Sequence, residues 1–313
     1  MLLRILLFAL SVACVAQVQV KQSPDRISVT IDGKPFTEFF VGAEAVKPYL
    51  HPLRTATGKI VTRSYPMESV AGEAKDHPHH RGLWMTHGLV NDVDFWANEK
   101  DQKGAGKAGR GAVVTRRVTA LESGKKKGII GANFEWQDPS GKGLLAEQRT
   151  MTFYTHPTQR WIDFDVTLTA LEDVVFGDTK EGMFAIRLAT ELEEKHSGKM
   201  RSADGKEGEK MVWGKRSPWV DYAGTLEGEK VGLAILDHPA NPRHPTYWHS
   251  RGYGLFAANP FGVRDFENDK TKNGDMKLAK GGAVRFRYRL IIHPGDSTEA
   301  KIAGEFKKFA KVK

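Results

Sequence analysis

"WIDFDVTLTA", residues 161–170, alternates with a period of two. Ile162, Phe164, Val166 and Leu168 share one face, and Asp163, Asp165, Thr167 and Thr169 share the other. This is the pattern of a half-buried antiparallel strand, with its apolar side on a core and its polar side outward. "AVRFRYRLII", 283–292, repeats it, with Val284, Phe286, Tyr288 and Leu290 inward and Arg285, Arg287 and Arg289 outward. "RISVTIDGKPFTEFFV", 26–41, is two such runs around Asp32-Gly33, a hairpin signal.

Working outward, strands are expected at 112–121, 129–137, 144–154, 183–190, 231–236 and 253–258, with turns at "DPSGKG" and "DSTEA". Only the C-terminus reads clearly as a helix. Ser297 is placed to cap it, and Ile302, Phe306 and Phe309 fall on one side. Residues 98–111 and 196–210 read as polar loops rich in glycine and lysine. There is no strand–helix alternation and no internal repeat. The expected architecture is all-β: one large antiparallel β-sandwich domain over 17–313, closed by a C-terminal helix.

The first residues differ from the rest. "MLLRILLFALSVACVAQ" has one early cation, Arg4, and an apolar run from Ile5 to Val15. The run is too short for a mature bilayer span and suits a secretory signal, residues 1–16, with cleavage after Ala16. The product is then secreted or periplasmic. Lipid attachment at Cys14 is the alternative, although Leu10 lies one position too far from the cysteine for the usual lipobox. Cys14 is the chain's one cysteine, and it leaves with the signal. That excludes disulfides, cysteine nucleophiles and zinc–thiolate sites. No later segment is apolar enough to span a membrane. The net charge of +9 comes from lysines in turns such as "SGKKKG", and no nucleic-acid-reading motif is present.

Three stretches concentrate chemistry. "DHPHHRGLWMTHG", 76–88, holds four of eleven histidines. Read as extended chain, it points His77 and His79 to one side and His80 to the other. Metal binding, acid/base work and a structural corner all remain open for it, because neutral imidazole suits each. "GDTKEGMFAIRLA", 177–189, sets Glu181 at a turn or strand edge, with Arg187 six residues on. Glu181 is a candidate general base and Arg187 a clamp, or the two form a surface ion pair. "DHPANPRHPTYWHSRGYGLFAANPFG", 237–262, interleaves His, Arg and Asn with Trp and Tyr, a composition suited to sugar. The candidate catalytic residues are His79, His80, His87 and Glu181. Trp84, Arg187, His238, Asn241, His249 and Arg251 are expected to position substrate. No metal ligand set and no cofactor are assigned.

These stretches, with "KPYLHPLRTATGKIVTRSYP" at 47–66, resemble the bacterial family labelled methane oxygenase PmoA, from about Lys47 to the C-terminus. The label names a subunit of an integral membrane enzyme, whereas this chain has no span after its signal. It is therefore read as a transferred name and not as an activity. In architecture, size and residue types, without an aligned motif, the chain is also similar to the galactose mutarotase-like supersandwich. Carried over by role, that resemblance implies His80 or His87 as acid and Glu181 as base. The resulting expectation is a secreted carbohydrate-active isomerase, hydrolase or lyase. A non-catalytic carbohydrate-binding or adhesion module and a metal-dependent oxidoreductase are the rivals. All three candidate stretches should then line one cleft.

Overall fold

The computed structural model describes residues 17–100, 102 and 106–313. The expected signal at 1–16, with Cys14, lies outside the described residues. Two eight-stranded antiparallel sheets form the body. The first runs, in spatial order, Val18–Gln22, Arg26–Ile31, Lys34–Phe40, Tyr49–His51, Leu83–His87, Gly182–Arg187, Leu255–Asn259 and Tyr247–Trp248. The second runs Lys199–Ser202, Trp219–Leu226, Glu229–Asp237, Ala283–Pro294, Arg160–Ala170, Gly143–Tyr154, Lys127–Gln137 and Ala112–Glu122. This is the antiparallel sandwich that the period-two pattern implies.

The two opening segments pair with each other. Arg289 lies opposite Asp163, and its guanidinium reaches both carboxylate oxygens at 2.5 and 2.7 Å. Arg285 binds Asp165 in the same way, while Ile162, Phe164, Val166 and Leu168 are buried between the sheets. The Asp32-Gly33 hairpin forms with φ of 55° and 75°, the two positive values that a type I′ turn needs.

Inner faces meet through rings. Phe184 stacks on Tyr288 at 4.8 Å, and Phe39 meets Phe134 edge-on at 6.1 Å. Both sheets feed one continuous apolar core.

Two local expectations change. The C-terminal helix is Ile302–Phe309, but Ser297 does not cap it with its side chain. Asp296 instead accepts the Thr298 and Glu299 amides at 2.8 and 3.0 Å, and Ser297 gives only its carbonyl, to Ile302. A carboxylate one residue earlier is the stronger acceptor for those free amides. Within 196–210, Lys199–Ser202 is an edge strand on Trp219–Leu226 despite its polarity, since an edge buries only one side.

Candidate functional site

The first sheet is unusual on its outer face. Residues 83–87 and 182–187 alternate as strands must, so Leu83, Met85, Phe184 and Ile186 enter the core while Trp84 and Ala185 face away. Ala185 lies opposite both Trp84 and Ala257, and these small neighbours leave width for the indole. Tyr49, Trp84, Trp96, Ala185, Leu255 and Ala257 form a second apolar cluster there, all buried. The three candidate stretches converge above it.

Residues 76–82 make a turn and not an extended run. The His80 amide donates to the His77 carbonyl at 3.0 Å, and His77 has a φ of 44°. Gly82, at φ 52°, passes so near the Leu50 carbonyl that a Cβ would lie 2.1 Å from it. Only glycine lets the chain enter the strand here. The turn brings His77, His79 and His80 to one side, where the extended reading separated them. His77 stacks between His80, at 4.7 Å, and Tyr253, at 5.4 Å, and His80 rests on Trp84 at 5.3 Å.

Two buried arginines hold this turn. Arg63 donates to Asp76 Oδ1 at 2.5 Å and to the His77 carbonyl at 3.0 Å. Arg187 donates to the same Asp76 oxygen at 3.2 Å and to His80 Nδ1 at 3.1 Å. Burial opposes ionisation of Asp76, but Arg187, His77 and Arg63 outweigh it and hold the carboxyl below its usual range. His77 Nδ1 lies 2.6 Å from the other Asp76 oxygen. A carboxylate only accepts, so Nδ1 of His77 carries a proton and donates to it. An arginine only donates, so neutral His80 carries its proton on Nε2.

The second and third stretches join through the loop at 179–181. The Lys180 carbonyl accepts His249 Nδ1 at 2.6 Å and Asn259 Nδ2 at 2.8 Å. The Glu181 carbonyl accepts the Gly88 amide at 2.7 Å. The result is a cavity of about 510 Å³. Its walls are His77, His79 and His80 from the first stretch, Lys180 and Glu181 from the second, and His249, Arg251 and Tyr253 from the third. A fourth segment adds Asp94, Trp96 and Ala97.

The electrostatics reverse the expected division of labour. Burial pushes His79 down to about 2, with Lys47 adding to it, and pushes His249 down to about 4. His80 is driven well below its ordinary value by burial, then by His79 and Arg187. Burial thus favours the neutral form of all three rings. Glu181 is instead pushed up, by burial foremost and by Asp94 and Asp265, against the pull of Lys180. Arg187 does not pair with Glu181; its carboxylate partner at hydrogen-bonding distance is Asp76.

Other expected site residues lie elsewhere. His87 points off the cavity, donates from Nε2 to the Gly177 carbonyl at 2.8 Å and packs on Phe261 at 4.3 Å. His238 touches the C-terminal helix, with Nε2 3.0 Å from the Val312 carbonyl. Asn241 is consumed by Asp237 and the Arg287 backbone. Alternation on its strand turns His87 away from the face that Trp84 occupies. Trp84 and Arg187 underlie the cavity as supports. The candidate catalytic and substrate-positioning residues do not include His77, Asp94, Trp96 or Tyr253. The Asp76-His77 pair was the available signal, since adjacent acid and imidazole can form an oriented dyad. Among the described residues, no group of three or more His, Cys, Asp or Glu side chains is arranged to hold a metal ion. Among them, too, no helix is long and apolar enough to cross a membrane.

The chain belongs to the family of unknown function DUF6807, whose model matches residues 26–307. No curated protein matches the sequence. Among solved structures it is similar to a galactose 1-epimerase from Lactobacillus acidophilus NCFM, at 8% identity and a TM-score of 0.44, over 89% of this chain and 98% of that one. A galactose mutarotase-like protein from Clostridium acetobutylicum gives 9% and 0.41, over 88% and 98%. One from Lactobacillus casei ATCC 334 gives 8% and 0.39, over 88% and 100%. Likeness this remote carries no information about activity.

Proposed function

We propose that the protein binds a carbohydrate in this cavity and acts on it by proton transfer. One observation carries the reading: three stretches distant in sequence bring Glu181, His77, His79, His80, His249 and Tyr253 to one cavity, and a fourth adds Trp96. Aromatic faces and fixed hydrogen-bonding groups together suit a pyranose. Glu181, raised by burial, is the proton donor. His77 is the acceptor: Asp76 binds its Nδ1–H and Arg63 and Arg187 hold Asp76, so Nε2 is the nitrogen the neutral ring turns to substrate. His80 gives an Nε2–H to a substrate oxygen, and His249 accepts at Nε2 because its Nδ1–H donates to the Lys180 carbonyl. Isomerisation, hydrolysis and elimination at a sugar carbon all use such a pair. The apolar run at Ile5–Val15 supports export before this chemistry.

The test begins by finding a binding sugar through thermal shift of the full chain against mono- and oligosaccharides. On that sugar, Glu181→Gln is expected to lower turnover on the order of 10²-fold while binding persists. His77→Asn should lower it comparably. Unchanged turnover in both variants would refute the acid/base assignment.

A further inference from the structure

The cavity floor is rich in donors and in positive charge. Among the described residues, Trp96 Nε1 is fully buried and has no hydrogen-bond partner, although its ring lines the cavity. Trp84 Nε1 and Arg187 Nε, in the layer beneath, also lack partners among them. His80 adds an Nε2–H, because Arg187 occupies its Nδ1. Buried N–H groups without acceptors are costly and uncommon in folded chains, and an incoming acceptor would relieve them.

Charge points the same way. Arg63 and Arg187 have no exposed side-chain surface, yet among the described residues the carboxylate within hydrogen-bonding distance of both is Asp76. The next, buried Glu193, is 3.9 Å from Arg187 and 2.9 Å from the exposed Lys195. Two guanidiniums therefore share one close carboxylate. The same cations help to expel a proton from His80 and so would favour a negative charge beside it.

Resting on the carbohydrate reading, we infer that the sugar carries an anionic substituent, a ring carboxylate or a sulfate or phosphate ester. It is received at the floor by His80 Nε2–H and Trp96 Nε1–H, with Arg187 and Arg63 behind them. Neutral hexoses offer hydroxyls that both give and accept, and they bring no charge to the guanidiniums behind the floor.

The experiment is calorimetric titration of the full chain with D-glucuronate, D-galacturonate, glucose 6-phosphate and glucose 6-sulfate beside glucose and galactose. At least one anionic sugar is expected to bind 10-fold or more tightly than its neutral parent. Binding by the uronates or by the esters identifies the source of the charge. Trp96→Phe removes the N–H together with part of the indole, so it should weaken the anionic sugar several-fold more than its neutral parent. Equal or tighter binding of glucose or galactose overturns the anionic assignment and leaves the sugar reading standing. Binding of none of the six overturns both.

Discussion

The two sheets have the same inner faces and opposite outer ones. On the second sheet, outward polar groups find partners: Asp163 takes Arg289, and Asp165 takes Arg285. On the first, outward Trp84 and Arg187 are buried beneath a turn of histidines and keep unpaired N–H groups. Satisfied polar pairs mark a face that structure alone explains. Unsatisfied buried donors beside a cavity mark a face arranged for a ligand. Burial also separates the two, because the histidines driven furthest toward neutrality, His51, His79, His80, His87 and His249, all belong to or pack on the first sheet.

The largest expected effect follows from that last difference. His51, His87 and His249 are held at about 4 by burial. In the unfolded chain such rings take protons near pH 6.5. Stability is therefore full above 6.5 and falls as pH drops toward 4, by up to about 1.4 kcal/mol per pH unit for each ring. Glu181, with its raised value, works weakly in the opposite direction. Thermal melts at pH 7.5 and 4.5 should show a large loss, and an unchanged Tm would mean that the first sheet's rings are not held neutral.

Phe184→Ala is next. The ring lies between the sheets, stacked on Tyr288 and edge-on to Phe164 at 4.8 Å each, so its loss should cost about 3–5 kcal/mol in urea unfolding. A cost below about 1 kcal/mol would deny the shared core.

Tyr253→Ala compares the outer faces directly. It removes a ring from the cavity wall and should weaken sugar binding about 10-fold, roughly 1.4 kcal/mol. Tyr154→Ala, on the second sheet beside Asp163, should leave binding unchanged. Equal losses from both would erase the distinction between the faces.

The smallest effect is expected from Asp165→Asn. Its pair with Arg285 is exposed on both sides, so stability should change by less than about 1 kcal/mol. A larger cost would show that the second sheet's outer face does more than stay soluble.

The sequence by itself determined the sandwich. Period-two alternation in 161–170 and 283–292 dictates which side of a strand meets a core, and two positive-φ residues dictate a hairpin at Asp32-Gly33. It also carried the convergence of 76–88, 177–189 and 237–262, because each stretch mixes titratable and aromatic residues that are costly to bury apart. Tertiary structure alone decided which histidine faces the cavity. His80 and His87 are alike in type, but Gly82 starts the strand with Leu83 on the core, and alternation then carries His87 away from Trp84. Tertiary structure also decided protonation. Whether Glu181 gives a proton or takes one depends on burial and on charges that sequence distance does not order, such as Asp94 and Asp265. Residue type says that a group can titrate, and the dielectric and the neighbours assembled by the fold say at what pH it does.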